Sequence, residues 1–177
     1  SGEGSNLKAL IHNSRFSNFP ITIKLIISNK PKAKGILLAK KNSIPYLIID
    51  TRKRYYENDI ISNIKKYNIS FICLAGYMKI ISKKLIKNIK KKIINIHPSL
   101  LPKFKGLNTF KRVIENNEIK TGCTVHYVNE KLDSGKIILQ KSFYINKNDN
   151  EKILKEKTQA LEHKSFSEAL IKIFRYN

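Results

Sequence analysis

The chain has two cysteines in 177 residues, Cys73 and Cys123. Both sit inside apolar, strand-like runs, so a disulfide framework is not the organising device and both read as buried, reduced thiols. No apolar run approaches the roughly 20 residues that a membrane-spanning helix needs, and the first residues carry no basic region followed by an apolar one. Cytoplasm is the expected compartment, with no membrane partner. No internal repeat or low-complexity linker is visible, so a single domain over residues 1–177 is expected. A domain of about 150 residues buries roughly 70% of the surface its unfolded chain exposes, which allows a real core. Acidic residues are scarce: Asp and Glu number 13 against 35 Lys and Arg, leaving a formal net charge of +22.

A charge of that size raises nucleic acid as a partner. Its distribution argues otherwise. The lysines are spread along the chain rather than gathered in one arm, and they greatly outnumber arginine, the better reader of bases and phosphates. Ile and Asn are abundant too, a combination that points to a coding bias toward Lys, Ile and Asn. Attraction of anionic substrates, or nonspecific nucleic-acid binding, is the alternative. The densest run, Lys83 to Lys92, reads as the solvated face of a helix that runs into the next strand.

Hydrophobic periodicity gives alternating elements. Helices are expected over Leu7–Asn13, Lys34–Lys41, Tyr56–Tyr67, from about Ser82, over Thr109–Asn117 and over Asn150–Phe174. Strands are expected over Ile21–Ser28, Pro45–Asp50, Ser70–Ala75, Lys92–Ile96, Thr121–Val128 and Ile137–Ile145. This alternation implies an α/β fold: a Rossmann-like, mostly parallel sheet flanked by helices, with ligands at the carboxyl ends of its strands, where the loops after Ala75, Ile96 and Val128 lie.

The most informative stretch is Asn95-Ile96-His97-Pro98-Ser99-Leu100-Leu101-Pro102. A strand ending there points the Asn95 carboxamide and the His97 imidazole to the same face. An amide donor beside a titratable ring suits an oxygen that becomes negative and must be protonated. Further along, Gly122-Cys123-Thr124-Val125-His126-Tyr127-Val128 supplies a second strand, and Asp133-Ser134-Gly135 a carboxylate beyond its exit. Near the start, Gly2-Glu3-Gly4-Ser5-Asn6 leads into a helix, which suits an anion held by backbone amides or a side-chain helix cap. Gln159 and Glu162 share one face of the last helix. Ser99 and Cys123 are not convincingly placed as nucleophiles.

Together with SGEGSNL at Ser1–Leu7, LAGYMKIIS at Leu74–Ser82, LDSGKIILQ at Leu132–Gln140 and QALEH at Gln159–His163, these motifs resemble the phosphoribosylglycinamide formyltransferase family, in its order and at about its spacing. The resemblance covers essentially the whole chain. It implies direct transfer of a formyl group from 10-formyltetrahydrofolate, as co-substrate, to the primary amine of glycinamide ribonucleotide, without a metal. It gives Asn95, His97 and Asp133 the catalytic roles. Asn95 and protonated His97 would stabilise the oxyanion, and Asp133 would orient His97 and help move the proton. It assigns Gly4, Ser5 and Asn6 to the 5′-phosphate, and Glu162 with Gln159 to the ribose. Met78 and Ile81 would form the pteridine pocket, with backbone groups around Lys79, Ile80 and Ile81 and around Asn129 to Asp133 on its polar edge. Arg52 matches a position near the folate tail. His126 would shape the strand and a water network, or simply fill the core.

The chain departs from the family in three places. Relatives usually carry Arg where Lys79 stands, so a planar fork becomes a point charge. They commonly carry His near Asn108 and Phe110, outside the core catalytic set. They also have a strand leading into the Gly-rich loop, which is expected to lie upstream of the sequence given. Alternative readings are a methionyl-tRNA formyltransferase core, a 10-formyltetrahydrofolate deformylase, or an inactive remnant that binds nucleic acid nonspecifically. The oligomeric state is expected to be monomer or homodimer.

Overall fold

A computed structural model describes residues 3–77, 79–89 and 92–175. Two compact units divide the chain, Ser1–Ile93 and Ile94–Asn177. Both mix strands with helices, an α/β architecture with parallel pairing in the first.

The first unit runs α1 (Ser5–Asn13), β1 (Ile26–Ser28), α2 (Lys34–Lys41), β2 (Tyr46–Ile48), α3 (Tyr56–Lys66), β3 (Phe71–Leu74) and α4 (Lys83–Ile89). Parallel strands need a crossover connection. Helix α2 supplies it, and β1 and β2 pair in parallel with Ile26 opposite Tyr46 and Ser28 opposite Ile48. Ile11 of α1, Ile26 of β1 and Ala39 of α2 are buried together, flanked by Leu7, Ile23, Leu38 and Ile44. Helix α3 carries Glu57 and Asp59 in its first turn and Lys65 and Lys66 in its last, the arrangement that complements the helix dipole. In α4, Leu85 and Ile89 turn inward while Lys83, Lys84 and Lys87 are exposed.

The expected strand Ile21–Ser28 is observed only as Ile26–Ser28. Alternating burial continues upstream from Ile21 to Leu25, so the segment keeps its pattern. Among the described residues its pairing with β2 covers only Ile26–Ser28.

The second unit follows β4 (Lys92–His97), which straddles the division, with α5 (Thr109–Glu115), β5 (Lys120–Tyr127), β6 (Ile137–Tyr144) and α6 (Glu151–Arg175). The largely parallel expectation gives way here to antiparallel pairing, β4 with β5 and β5 with β6. For β5 and β6 the reason is connection length, since residues 128–136 hold no helix and cannot make a crossover. Strand β5 is buried almost throughout and runs between β4 and β6. At Gly122 an added Cβ would lie 1.9 Å from the Lys141 carbonyl oxygen, so only glycine fits against β6 there. Helix α6 packs Leu154, Phe166, Ala169, Leu170 and Ile173 inward, and Asn150 caps its start by accepting the Ile153 N–H at 3.0 Å.

Candidate active site

In the second unit, β4 places Asn95 and His97 two residues apart on one face, and its register sets Asn95 opposite His126 and His97 opposite Thr124. The β5–β6 ladder shifts between Val125 and His126. A bulge of this kind re-aims the side chain beside it. His126 Nδ1 donates to the Tyr127 carbonyl at 2.8 Å, since a carbonyl can only accept. His126 Nε2 lies 3.4 Å from the Asn95 amide nitrogen. A contact this long is weak, so the Asn95 amide can turn to a substrate oxygen at small cost.

Both nitrogens of His97 face oxygen. Nε2 donates to the Phe104 carbonyl at 2.9 Å, and Nδ1 lies 3.3 Å from Asp133 Oδ2 with both side chains almost fully covered. Either neutral tautomer leaves one ring lone pair against an oxygen. Only the doubly protonated ring offers an N–H to each. Burial nevertheless pushes His97 below the ordinary imidazole value, against the Phe104 carbonyl and the Asp133 carboxylate, which pull it up. Buried charge is costly without full pairing, so the resting ring is neutral and poised to gain a proton.

Asp133 stands at φ 43, in the left-handed region. It reaches the histidines because the turn before β6 folds back toward them. Gly135 permits that turn, since a Cβ there would lie 1.6 Å from the Tyr127 carbonyl oxygen. Asn129 braces it, accepting the Lys131 N–H at 3.0 Å and donating to the Ser134 carbonyl at 3.1 Å. Burial raises the Asp133 pKa, but the His126 ring, the Gly106 N–H at 2.9 Å and the His97 ring together hold it below the ordinary carboxylate value. His126 Nε2 lies 3.6 Å from Asp133 Oδ1.

The loop after His97 hangs on one hydroxyl. Thr124 Oγ1 donates to the Ser99 carbonyl at 2.6 Å and accepts the Leu101 N–H at 3.0 Å and the Gln140 amide at 2.9 Å. Gln140 also donates to the Leu101 carbonyl at 2.8 Å. Ser99 is fully buried and donates to the Lys103 carbonyl at 2.6 Å, so its hydroxyl is committed to the loop. Burial, with the Glu162 carboxylate adding to it, pushes the Cys123 thiol up to about 11. Neither group is an activated nucleophile.

On α6, Glu162 is buried and Gln159, one turn earlier, is half-buried. In the first unit, Gly4 takes φ 73 and caps α1, and neither Ser5 nor Asn6 supplies a side-chain cap because the helix already begins at Ser5. A Cβ on Gly4 would lie 3.3 Å from the Gly35 amide nitrogen. Arg52 lies over Asp50, Nε to Oδ1 at 2.9 Å and Nη2 to Oδ2 at 2.8 Å, and that grip holds the Asp50 carboxyl well below the usual range. Lys79 Nζ donates to the Thr51 carbonyl at 3.2 Å and sits over the Tyr56 ring. Ile80 is exposed and Ile81 half-buried. Met78 lies outside the described residues.

Comparison with known proteins settles the family. The family model for formyl transferases matches residues 1–170. This chain belongs to the formyl transferase family. It is 39% identical over 171 residues to phosphoribosylglycinamide formyltransferase of Haemophilus influenzae, covering 94% of this chain and 80% of that protein. It is 41% identical over 176 residues to the trifunctional purine biosynthetic protein adenosine-3 of Drosophila pseudoobscura pseudoobscura, covering 96% of this chain but only 13% of that protein's length. The crystal structure of phosphoribosylglycinamide formyltransferase from Bacillus halodurans superposes with a TM-score of 0.93 at 37% identity, over 98% of this chain and 91% of that one.

In this formyl transferase the structure gathers Asn95, His97 and Asp133 into one cluster with His126, whose place in it the sequence left open. The Phe104 carbonyl and the Gly106 amide belong to the same cluster. Both are backbone groups, which no residue letter announces. Their signal was indirect: a glycine and an Asn-Thr pair before α5 mark a loop that needs left-handed backbone.

Proposed function

We propose that this chain transfers the formyl group of 10-formyltetrahydrofolate to the amine of glycinamide ribonucleotide, a cytoplasmic step of purine biosynthesis. The observation that carries the reading is the buried His97 ring, with an oxygen at each nitrogen and the Asn95 amide on the same strand face.

The substrate amine is itself the nucleophile, so the chain's task is positioning, oxyanion stabilisation and proton movement. As the amine adds to the formyl carbon, the Asn95 N–H meets the oxygen that becomes negative, and the protonated His97 ring, its two N–H groups held by the Phe104 carbonyl and Asp133, stabilises that oxygen by its charge. Asp133 holds the ring in place and makes its protonated form favourable by pairing with Nδ1. His126 lies between Asn95 and Asp133, with Nε2 near both, and ties the amide and the carboxylate into one network. The proton leaving the amine passes through this network to the departing nitrogen. Gly4, Ser5, Asn6, Gln159 and Glu162 would hold the ribonucleotide, and Arg52, Met78, Lys79, Ile80, Ile81 and Asn129 the folate. No step calls on a metal, and neither a specific nucleic acid nor a membrane is a partner; the chain acts as a monomer or homodimer.

The test is a formyl-transfer assay on the purified chain with glycinamide ribonucleotide, methionyl-tRNA or water as acceptor, alongside salt-titrated RNA binding. Transfer to the ribonucleotide alone is expected. Formate release at equal rate without an amine acceptor would make the chain a deformylase and overturn the reading.

A further inference from the structure

Phe104 adopts φ 56, and Gly106 and Asn108 follow at φ 80 and 55. Glycine and asparagine enter the left-handed region readily, whereas a bulky aromatic does so rarely and only where its surroundings impose it. Something must hold Phe104 there, and it matters because this residue aims its carbonyl at His97 Nε2 while Gly106 aims its N–H at Asp133.

Arg112, on the first turn and a half of α5, touches the loop three times. Its Nη1 donates to the Lys105 carbonyl at 2.7 Å and to the Leu107 carbonyl at 3.4 Å, and its guanidinium lies 5.4 Å from the centre of the Phe104 ring. From the other side, Lys105 Nζ donates to Ser134 Oγ at 2.5 Å, next to Asp133. We infer that Arg112 is a positioning residue for His97, locking Phe104 in the left-handed conformation so that the loop clamps the His97–Asp133 pair at both ends.

Lysine ends one atom sooner, in a compact ammonium, so from this place on α5 it is a poorer substitute for a planar guanidinium that lies over the Phe104 ring while Nη1 donates to the Lys105 and Leu107 carbonyls. Arg112→Lys keeps the positive charge and removes the fork, which separates geometry from electrostatics. The charged and titratable groups acting on His97 are Asp133, His126 and Arg112. Arg112's own charge opposes protonation of the ring, while the Phe104 carbonyl it positions favours it. With charge retained and the carbonyl displaced, the His97 titration point moves down.

The kinetic consequence rests on the proposed formyl transfer; the effect on the ring does not. In Arg112→Lys, kcat is expected to fall about tenfold, below the roughly 10²-fold that a 1 Å misplacement of a catalytic group can cost, with both KM values nearly unchanged. The 15N signal of His97 Nε2 should lose its hydrogen-bonded shift and titrate at lower pH. In a Phe104→Gly background, where glycine enters the left-handed region by itself, Arg112→Lys should cost little in kcat.

Unchanged kcat and unchanged His97 titration in folded Arg112→Lys would overturn the assignment. So would an equal kcat loss in both backgrounds. If the wild-type chain formylates no ribonucleotide, the functional reading fails, and the 15N titration then decides alone: a downward shift supports the clamp, and no shift refutes it.

Discussion

Among the described residues up to Ile93, every side chain that is buried is apolar, from Leu10 onward, whereas residues 94–175 bury ten polar or charged side chains, His97, Thr124, His126 and Glu162 among them. The polar side chains of the first unit are half-buried or exposed among the described residues, Arg52 among them, paired with Asp50 two residues away. The second spends desolvation on groups drawn together from β4, β5 and the turns around them. A buried polar network is worthwhile only when its members satisfy one another. The contrast fits the proposed function, in which charged substrate ends would be met by exposed groups and backbone while an oxyanion and a moving proton need a dry, fixed surround.

The sharpest test of this contrast is catalytic. Asn95→Ala, His97→Ala and Asp133→Asn should each lower kcat by about 10² or more, the scale for losing a general acid or an oxyanion donor. The double variant His97→Ala with Asp133→Asn should lose far less than the product of the single losses, because Asp133 acts largely through His97. Turnover and melting temperature measured on the same samples decide it; a folded Asp133→Asn protein with wild-type turnover ends the mechanism.

Next come two glycines, one in each unit. Gly135→Ala puts a Cβ 1.6 Å from a backbone oxygen and should cost more than about 2 kcal/mol in urea unfolding, with a drop in turnover as Asp133 moves. Gly35→Ala, inside α2, meets only the end of the Leu7 side chain at 3.2 Å. The helix preference for alanine, up to about 1 kcal/mol, should offset that contact and leave stability nearly unchanged. Equal losses at the two sites would remove the distinction between the units.

Substrate binding should separate more gently. Asn6→Ala and Glu162→Ala are each expected to raise KM for the ribonucleotide about tenfold, the loss of a charge-assisted hydrogen bond, with little change for the folate. A selective loss of folate affinity would show that the two sets of binding residues are exchanged.

The pH dependence of stability is a smaller effect again. His97 titrates below its ordinary value of 6.5 in the folded protein. Between the two values the unfolded chain binds more protons, so acid favours unfolding. Its contribution is full above about pH 6.5 and declines as pH falls towards the folded value. Asp133, held below its ordinary 3.8, adds a second loss at lower pH with the same sign. Melting curves of His97→Gln should lack the first decline and retain the second. The smallest effect belongs to Arg52→Ala, whose ion pair is largely exposed: melting temperature should not move, while a role at the folate tail would still raise the folate KM.

The sequence made the elements legible where period and punctuation agreed. Helix α2 falls on the expected residues, and β4 to β6 and α6 match to within two residues of either end. It misled where a pattern needed a partner to become structure. Ile21–Leu25 alternates like a strand, yet no ladder forms opposite it among the described residues, and β4 and β5 flank α5 as a parallel pair would, although they pair antiparallel. The site divides the same way. Asn95, His97 and Asp133 stood out as side chains in a recognisable order, while the Phe104 carbonyl and Gly106 amide are invisible until the backbone is folded. Asn129, expected to border the folate, contributes its side chain to the turn that carries Asp133.

The Thr124 hydroxyl ties the Leu101 amide to the middle of β5. Loop amides normally exchange with deuterium through small local fluctuations, well before a sheet opens. The Leu101 proton has no such route, because releasing it means exposing a hydroxyl that Ser99 and Gln140 also hold. Its exchange should therefore keep pace with the slowest amides of β5, so that this short connecting segment opens with the sheet and not ahead of it.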